Sequence, residues 1–380
     1  MKRLTLHIGS HKTGTSTLQA TFRENEAALL SRGLAVAYVP PWDHVHPLLD
    51  FVNPREIFPG GYRVTGPLEF AEFLARRPAD HVFASSENFS FFFQQDAIND
   101  LATALKPRFD EIRIVVYLRR QDRHAVSHHQ EGAKANRPPE GLLWGHSLTA
   151  LPEPAPLQRL YLDYNQRIAM WESAFGSANL SVRVFDRALL DKGDIVSDML
   201  ALIGVNGHGI VRSPDVNISL SRMQAKVGHI ANALIGDDSV TQRLLDAVYV
   251  PDGDRMAPSA EAARAFLEPY RESNRLLNAR LGITSFPDLF PDDFGDYPAT
   301  ASEDMPPGES IAALQAAIRT LGGQKMALQD VTADDLRLSA RSLAKSEPWL
   351  ALRLARAALS LRPNGPAILQ LVAELEARIG

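Results

Sequence analysis

Apolar positions in this chain switch repeatedly between a two-residue and a helical period. Leu4-Thr-Leu-His-Ile8 alternates as a strand does, and Ser16 to Arg32 then places Leu18, Phe22, Leu29 and Leu30 on one helix face, with Gly33 after the last turn. A strand at Val36 to Val39 follows, then an irregular stretch rich in Pro, Gly and aromatics from Pro40 to Pro67, and a loop that long usually serves function. The alternation resumes with a helix from Leu68 to Arg77, a short strand from His81 to Ser85 running into "SSENFS", and a helix from Ala97 to Lys106. The run "EIRIVVYLRR" is the strongest buried-strand pattern and leads directly into the helical "DRHAVSHHQEGAK". A Pro-rich loop from Arg137 to Pro156 separates it from a helix at Leu160 to Phe175, a strand at Leu180 to Phe185 and a helix capped by Asp194 and closed by Gly204. Strands and helices alternating at this spacing predict an α/β domain, a parallel sheet covered by helices on both faces.

Beyond this the pattern is mostly helical from Asn217 to about Leu281. Pro, Asp and Gly with little periodicity suggest a linker over 286–310, and Ala/Leu/Arg-rich helical spacing fills 311–380. The expected organisation is therefore an α/β domain over 1–285, that linker, and a small all-α region. Within the last, "PWLALRLARAALSLRPNGPAILQLVAELEARI" reads as two helices joined at Pro363-Asn-Gly-Pro366 and resembles a tetratricopeptide unit, although one or two such units fall short of a repeat array. These helices pack on the main domain as a cap, or offer a surface for a protein partner or for self-association.

Composition narrows the function. With 40 Lys+Arg against 45 Asp+Glu the formal charge is −5, so there is no global positive field for nucleic acid or an anionic membrane, and any anionic ligand is captured locally. The chain has no cysteine, which excludes disulfides, thiolate metal sites and cysteine nucleophiles. No segment approaches the ~20 apolar residues of a membrane span, and the apolar run after Lys2 and Arg3 stops at His7, too early for a secretion signal. Cytoplasmic residence is the expectation.

The candidate chemistry begins where the first strand meets the first helix, in Gly9-Ser-His-Lys-Thr-Gly14-Thr-Ser16. A phosphate-binding nucleotide loop reads G-x-x-x-x-G-K-[ST]. Here the glycine spacing is kept, Thr15 stands at the usual lysine position, and the lysine has moved forward to Lys12. Free N–H groups and the helix dipole at Thr13, Gly14, Thr15, Ser16 and Thr17 favour an anion, and the hydroxyls add donors. "HKTGTST" resembles the 5′-phosphosulfate loop, K-[ST]-G-[ST]-[ST], of sulfotransferases that use 3′-phosphoadenosine 5′-phosphosulfate. A second segment resembles the same enzymes: Arg119 at the end of a buried strand with Ser127 eight residues later on a helix, their 3′-phosphate-binding arrangement.

The resemblance runs from about Lys2 to Ile283 and implies a three-layer P-loop-like fold and sulfuryl transfer to a hydroxyl acceptor, a carbohydrate or glycoconjugate among the candidates, with adenosine 3′,5′-bisphosphate as the product. It implies that Lys12 contacts the bridging oxygen of the departing nucleotide, that Thr13 to Thr17 bind the 5′-phosphate and sulfuryl group, and that Arg119 and Ser127 bind the 3′-phosphate. Arg120 rivals Arg119 for that ligand, because the arginine is followed by Arg-Gln-Asp and not by the Arg-Asn-Pro of animal cytosolic enzymes. The basic-glycine segment of those enzymes is not evident, leaving Arg222 and Lys226 as substitutes.

In-line attack by a hydroxyl needs a base but not intrinsically a metal. Glu87, after a short strand at the same sheet edge, is the nominee, with His44 and His46 as rivals. His11 reads as a structural neighbour of the loop, and His124, His128 and His129 lack partners at metal-ligand spacing. Phe89, Phe91, Phe92, Phe93, Trp42, Tyr62 and Trp144 offer rings for an acceptor or for the core. Two other functions compete: a small-molecule kinase using Mg·ATP, with Asp186 as the metal-holding carboxylate, and a non-catalytic interaction protein using the C-terminal helices.

Overall fold

A computed structural model describes residues 1–51, 61–214, 219–250, 253–322, 332–344 and 348–379. The expected irregular stretch from Pro40 to Pro67, the start of the helical stretch at Asn217 and the 311–380 region each fall partly outside these residues.

The main sheet is built from β1 (Arg3–His7), β2 (Leu34–Ala37), β5 (His81–Ser85), β6 (Glu111–Leu118) and β7 (Leu180–Val184), in the spatial order β2-β5-β1-β6-β7 with every pairing parallel. A short antiparallel pair, β3 (Leu49–Phe51) and β4 (Tyr62–Val64), lies apart from it, inside the stretch expected to be irregular. Both faces of the main sheet are covered. On one, Leu4, Leu6, Val82, Ile112, Ile114 and Val116 join a large buried cluster. On the other, Phe83, Val115 and Tyr117 meet Leu18 and Phe22 of α1 (Thr15–Glu24) and Met199, from a helix over Ile195–Leu202. This is the three-layer α/β arrangement expected, with the glycine loop following the central strand.

The polar side chains of β1 find partners across the sheet: the Thr5 hydroxyl shares a hydrogen bond with His81 Nε2 (2.9 Å), and His7 Nδ1 with the Ser85 hydroxyl (2.8 Å), while His7 Nε2 is buried with no partner in the structure. A strand buried on both faces can carry such residues only with partners of this kind.

Two expected helices break. The first ends at Asn25, whose amide side chain accepts from Val211 N (3.0 Å) and donates to Val211 O (2.8 Å), and α2 (Glu26–Leu30) starts afresh. The expected Leu160–Phe175 helix is two helices, Pro156–Leu162 and Tyr164–Phe175, because the Asp163 carboxylate accepts from Gln166 N (3.1 Å) and caps the second.

The chain divides into two compact units at Ala313/Leu314. In the first, the 286–310 stretch expected as a linker packs Leu289, Phe290 and Phe294 into buried clusters. In the second, helices over Ala333–Leu343, Pro348–Leu361 and Pro366–Ile379 pack through Ala340, Ala351, Ala355, Leu371 and Leu375, small residues on the middle helix letting backbones approach. Among the described residues no helix is long and apolar enough to cross a membrane.

Candidate active site

Because β5, β1 and β6 are adjacent and parallel, the segments that follow them meet at one edge, where open α/β sheets bind ligands. The glycine loop leaves β1 still paired to its neighbour: Tyr117 N donates to Gly9 O (2.9 Å) and Ser10 N to Tyr117 O (3.1 Å). Gly9 has φ +96°, and a Cβ there would lie 2.8 Å from the Ser90 hydroxyl and 3.1 Å from Glu87 Cα, so the loop and the segment after β5 touch backbone to backbone. Gly14 (φ +76°) turns the chain into α1 as its N-cap. No side chain caps that helix and no acidic residue lies in its first turn, an arrangement that favours an anion at its N-terminus.

The hydroxyls of the loop divide. Thr13 is buried and donates to Ser10 O (2.6 Å), closing the loop on itself, whereas Ser16 is half-buried. Thr15 and Thr17 are buried as well, and the Ser10 hydroxyl is buried with no partner in the structure.

Lys12 adopts φ +60° within the loop. Its ammonium reaches Glu131 Oε2 at 2.8 Å, at the end of α5, the helix over Gln121–Glu131 (α3 and α4 being Pro67–Ala75 and Gln95–Leu105). Lys134 (3.0 Å) and Arg137 (3.2 Å) converge on the same carboxylate. Burial opposes ionisation of Glu131, but Lys12 and Lys134 outweigh it and bring the pKa to about 2.

The two arginines after β6 have separate roles. Arg120 is buried and forks onto Asp122 (2.7 and 2.9 Å), donates to Pro291 O (3.0 Å) and to Asp293 O, and lies 4.0 Å from the Phe294 ring centre. These four acceptors engage all three of its nitrogens, so Arg119 is the less encumbered of the two arginines. Arg119 donates to Lys12 O (3.2 Å), and among the described residues no carboxylate pairs with it. Burial lowers its pKa, and the nearby Asp122 charge only partly offsets that effect. Ser127 is half-buried on α5, one turn before Glu131. Arg222, held in reserve for the 3′-phosphate, is spent on Glu309 (3.0 and 3.1 Å), and Lys226 donates to Leu148 O (2.8 Å).

After β5, the Ser86 hydroxyl caps the next turn by accepting from Asn88 N (3.1 Å), which leaves Glu87 unencumbered by that duty. His46 Nε2 lies 3.8 Å from Glu87 Oε1, and His46 Nδ1 shares a hydrogen bond with Ser86 (3.0 Å). Two of the three base candidates are thus brought together. Burial would raise the Glu87 pKa, but hydrogen bonding and charge from His46, followed by His11 and the Thr15 hydroxyl, hold it well below the ordinary carboxylate value. His44 stacks between Trp42 and His46 (ring centres 5.8 and 3.7 Å), and burial, then His46, lowers it to about 4.

His11 is buried against His128 (4.7 Å) and bonded to the Tyr161 hydroxyl (2.9 Å), so it fastens the loop to α5. Phe89, Phe91, Phe92 and Trp144 are core residues, while Trp42 is 55% exposed. Asp186 accepts from Ala188 N (3.0 Å) and faces Arg123 (3.8 Å). Among the described residues no group of three His, Cys, Asp or Glu is arranged to hold a metal ion.

The pairing of His46 with Glu87 and the Glu131 cluster have no local sequence signal; the nearest hint to the latter is Glu131 recurring one turn after Ser127.

No family model matches the chain. An uncharacterized protein of Archaeoglobus fulgidus is 29% identical over 175 residues, 43% of this chain and 44% of that protein, so the chain spans less than half of that relative's length. The crystal structure of a sulfotransferase from Alicyclobacillus acidocaldarius superposes with a TM-score of 0.39 at 14% identity, covering 75% of this chain and 97% of that one.

Proposed function

We propose that this protein transfers a sulfuryl group from 3′-phosphoadenosine 5′-phosphosulfate to a hydroxyl acceptor, with saccharides the first acceptor class to test, by in-line displacement. The observation that carries the reading is Arg119. It is a half-buried, desolvated cation that forms no ion pair among the described residues, bonded to the carbonyl of Lys12 beside an uncapped helix N-terminus. Desolvating a cation without an ion pair is costly, and an anion bound beside the helix N-terminus relieves that cost.

In this reading the N–H groups of Thr15 and Ser16 hold the 5′-phosphosulfate, and Arg119 with Ser127 takes the 3′-phosphate. His46 accepts the acceptor proton while the acceptor oxygen bonds to sulfur. The bond from sulfur to the bridging oxygen breaks, its electron pair leaves with adenosine 3′,5′-bisphosphate, and Lys12 neutralises that oxygen. Glu87, 3.8 Å from the imidazole, is placed to orient it and to stabilise the imidazolium formed as it takes the proton. Cytoplasmic residence, and use of the C-terminal helices to bind a protein or a second copy, belong to the same proposal.

Isothermal titration tests it. Adenosine 3′,5′-bisphosphate should bind without magnesium, and preferential binding of Mg·ATP would overturn the reading in favour of a kinase. A panel of saccharide and aryl hydroxyl acceptors with labelled donor then identifies the acceptor.

A further inference from the structure

The lysine that should neutralise the leaving group is held by a carboxylate on another helix, α5. Its ammonium is 2.8 Å from Glu131, in a half-buried pair, while its carbonyl is fixed by Arg119. The backbone of Lys12 is therefore anchored at the loop and only the flexible four-carbon side chain chooses between α5 and a ligand.

Glu131 shares its two oxygens among three cations, Oε2 with Lys12 and Lys134, and Oε1 with Arg137. This makes the pair asymmetric. If Lys12 leaves, Glu131 still has two counter-ions and incurs no penalty of an isolated charge; if Glu131 is absent, Lys12 has no other carboxylate among the described residues. Glu131 also lies one turn beyond Ser127, on the same face of the helix, so Lys12 is held on the face that carries the proposed 3′-phosphate serine.

We propose that Glu131 is a positioning residue that parks Lys12 on α5 in the ligand-free protein, so that the phosphosulfate must draw Lys12 from it. The proposal rests on the donor reading above. It makes the lysine's catalytic position conditional on an occupied loop, and it places a cost on ligand binding equal to the preference of Lys12 for the carboxylate.

The experiment is a double-mutant cycle read by titration of adenosine 3′,5′-bisphosphate and the donor into the full chain. Glu131→Gln should tighten binding about tenfold and lower the KM for donor without raising kcat, a coupling of ordinary size. In a Lys12→Met background the same substitution should have little effect, because the carboxylate acts through the lysine. Glu131→Asp, which retracts the carboxylate by one methylene, should fall between the two and serves if the glutamine variant folds poorly. Unchanged or weaker binding by Glu131→Gln, or an equal gain in the Lys12→Met background, overturns the proposal, the latter by showing a general field effect. Absence of any bisphosphate binding by the unaltered protein refutes the donor reading instead.

Discussion

Arg120→Met separates the two arginines that end β6. The substitution removes a fork onto Asp122, donors to Pro291 O and Asp293 O, and the cation above Phe294. What remains is a buried Asp122 with the Tyr297 hydroxyl (2.7 Å) as its side-chain hydrogen-bond partner among the described residues. Breaking a buried ion pair from one side costs about 3–5 kcal/mol, mostly as the penalty of the stranded charge. For a domain of this size that lowers Tm by roughly 10 °C. Differential scanning calorimetry reads the shift, and titration of adenosine 3′,5′-bisphosphate below the transition reads the site. Arg120→Met should retain most of its affinity, whereas Arg119→Ala should melt near the unaltered protein and lose most of it. Adding Asp122→Asn to Arg120→Met should recover stability, because no carboxylate is then left unpaired. A normal Tm for Arg120→Met, or a larger affinity loss than for Arg119→Ala, would refute this division of labour.

Lys12→Ala should reduce transfer of labelled sulfuryl by about 10²–10³-fold with an unchanged circular dichroism spectrum, the scale of one lost transition-state donor. His46→Gln should lower kcat by about 10²–10⁴-fold, and a larger loss in Glu87→Gln would return the base role to the carboxylate. Gly9→Ala forces a side chain into φ +96° and against Ser90 and Glu87, so urea unfolding should show a loss of roughly 2 kcal/mol together with a fall in kcat, because the displaced backbone carries Glu87. Acid should destabilise the fold through His229, stacked at 4.3 Å on His129. Burial, then His129 and His146, lowers its pKa from 6.5 to about 3. The unfolded chain takes up the proton first, so this contribution is complete above pH 6.5 and is lost as pH falls toward 3. At pH 5 the loss is roughly 2 kcal/mol, and His229→Leu should flatten the urea midpoint between pH 7 and 5.

The parts of the site that could be read from the sequence are those written in consecutive residues. Leu4 to Ser16 and Ile112 to Ser127 each carry strand, turn and helix together, and hydrophobic period alone places their junctions at one sheet edge. The meeting of His46 and Glu87 depends on the path of a loop, and nothing in "PWDHVHPLL" encodes which imidazole turns inward. Arg119 and Arg120 are identical in type and adjacent; only the approach of Pro291, Asp293 and Phe294 distinguishes them. That approach was itself hidden, because the Pro, Asp and Gly content of 286–310 masks Leu289, Phe290 and Phe294. The breaks at Asn25 and Asp163 were missed for a related reason: both residues satisfy backbone groups through side chains, a competition that hydrophobic spacing does not register.

The three cations around Glu131 also bear on how fast a ligand arrives. The chain as a whole carries −5 and repels anions at a distance, yet an approaching bisphosphate meets the cations Lys12, Lys134, Arg137 and Arg119, which outnumber Glu131 and Glu87, once it is within a Debye length of about 10 Å at 0.1 M salt. Repulsion and attraction therefore act over different ranges. Moderate salt screens the first before the second, so the association rate constant should rise to a maximum with ionic strength and then fall, where a uniformly basic protein would show only the fall.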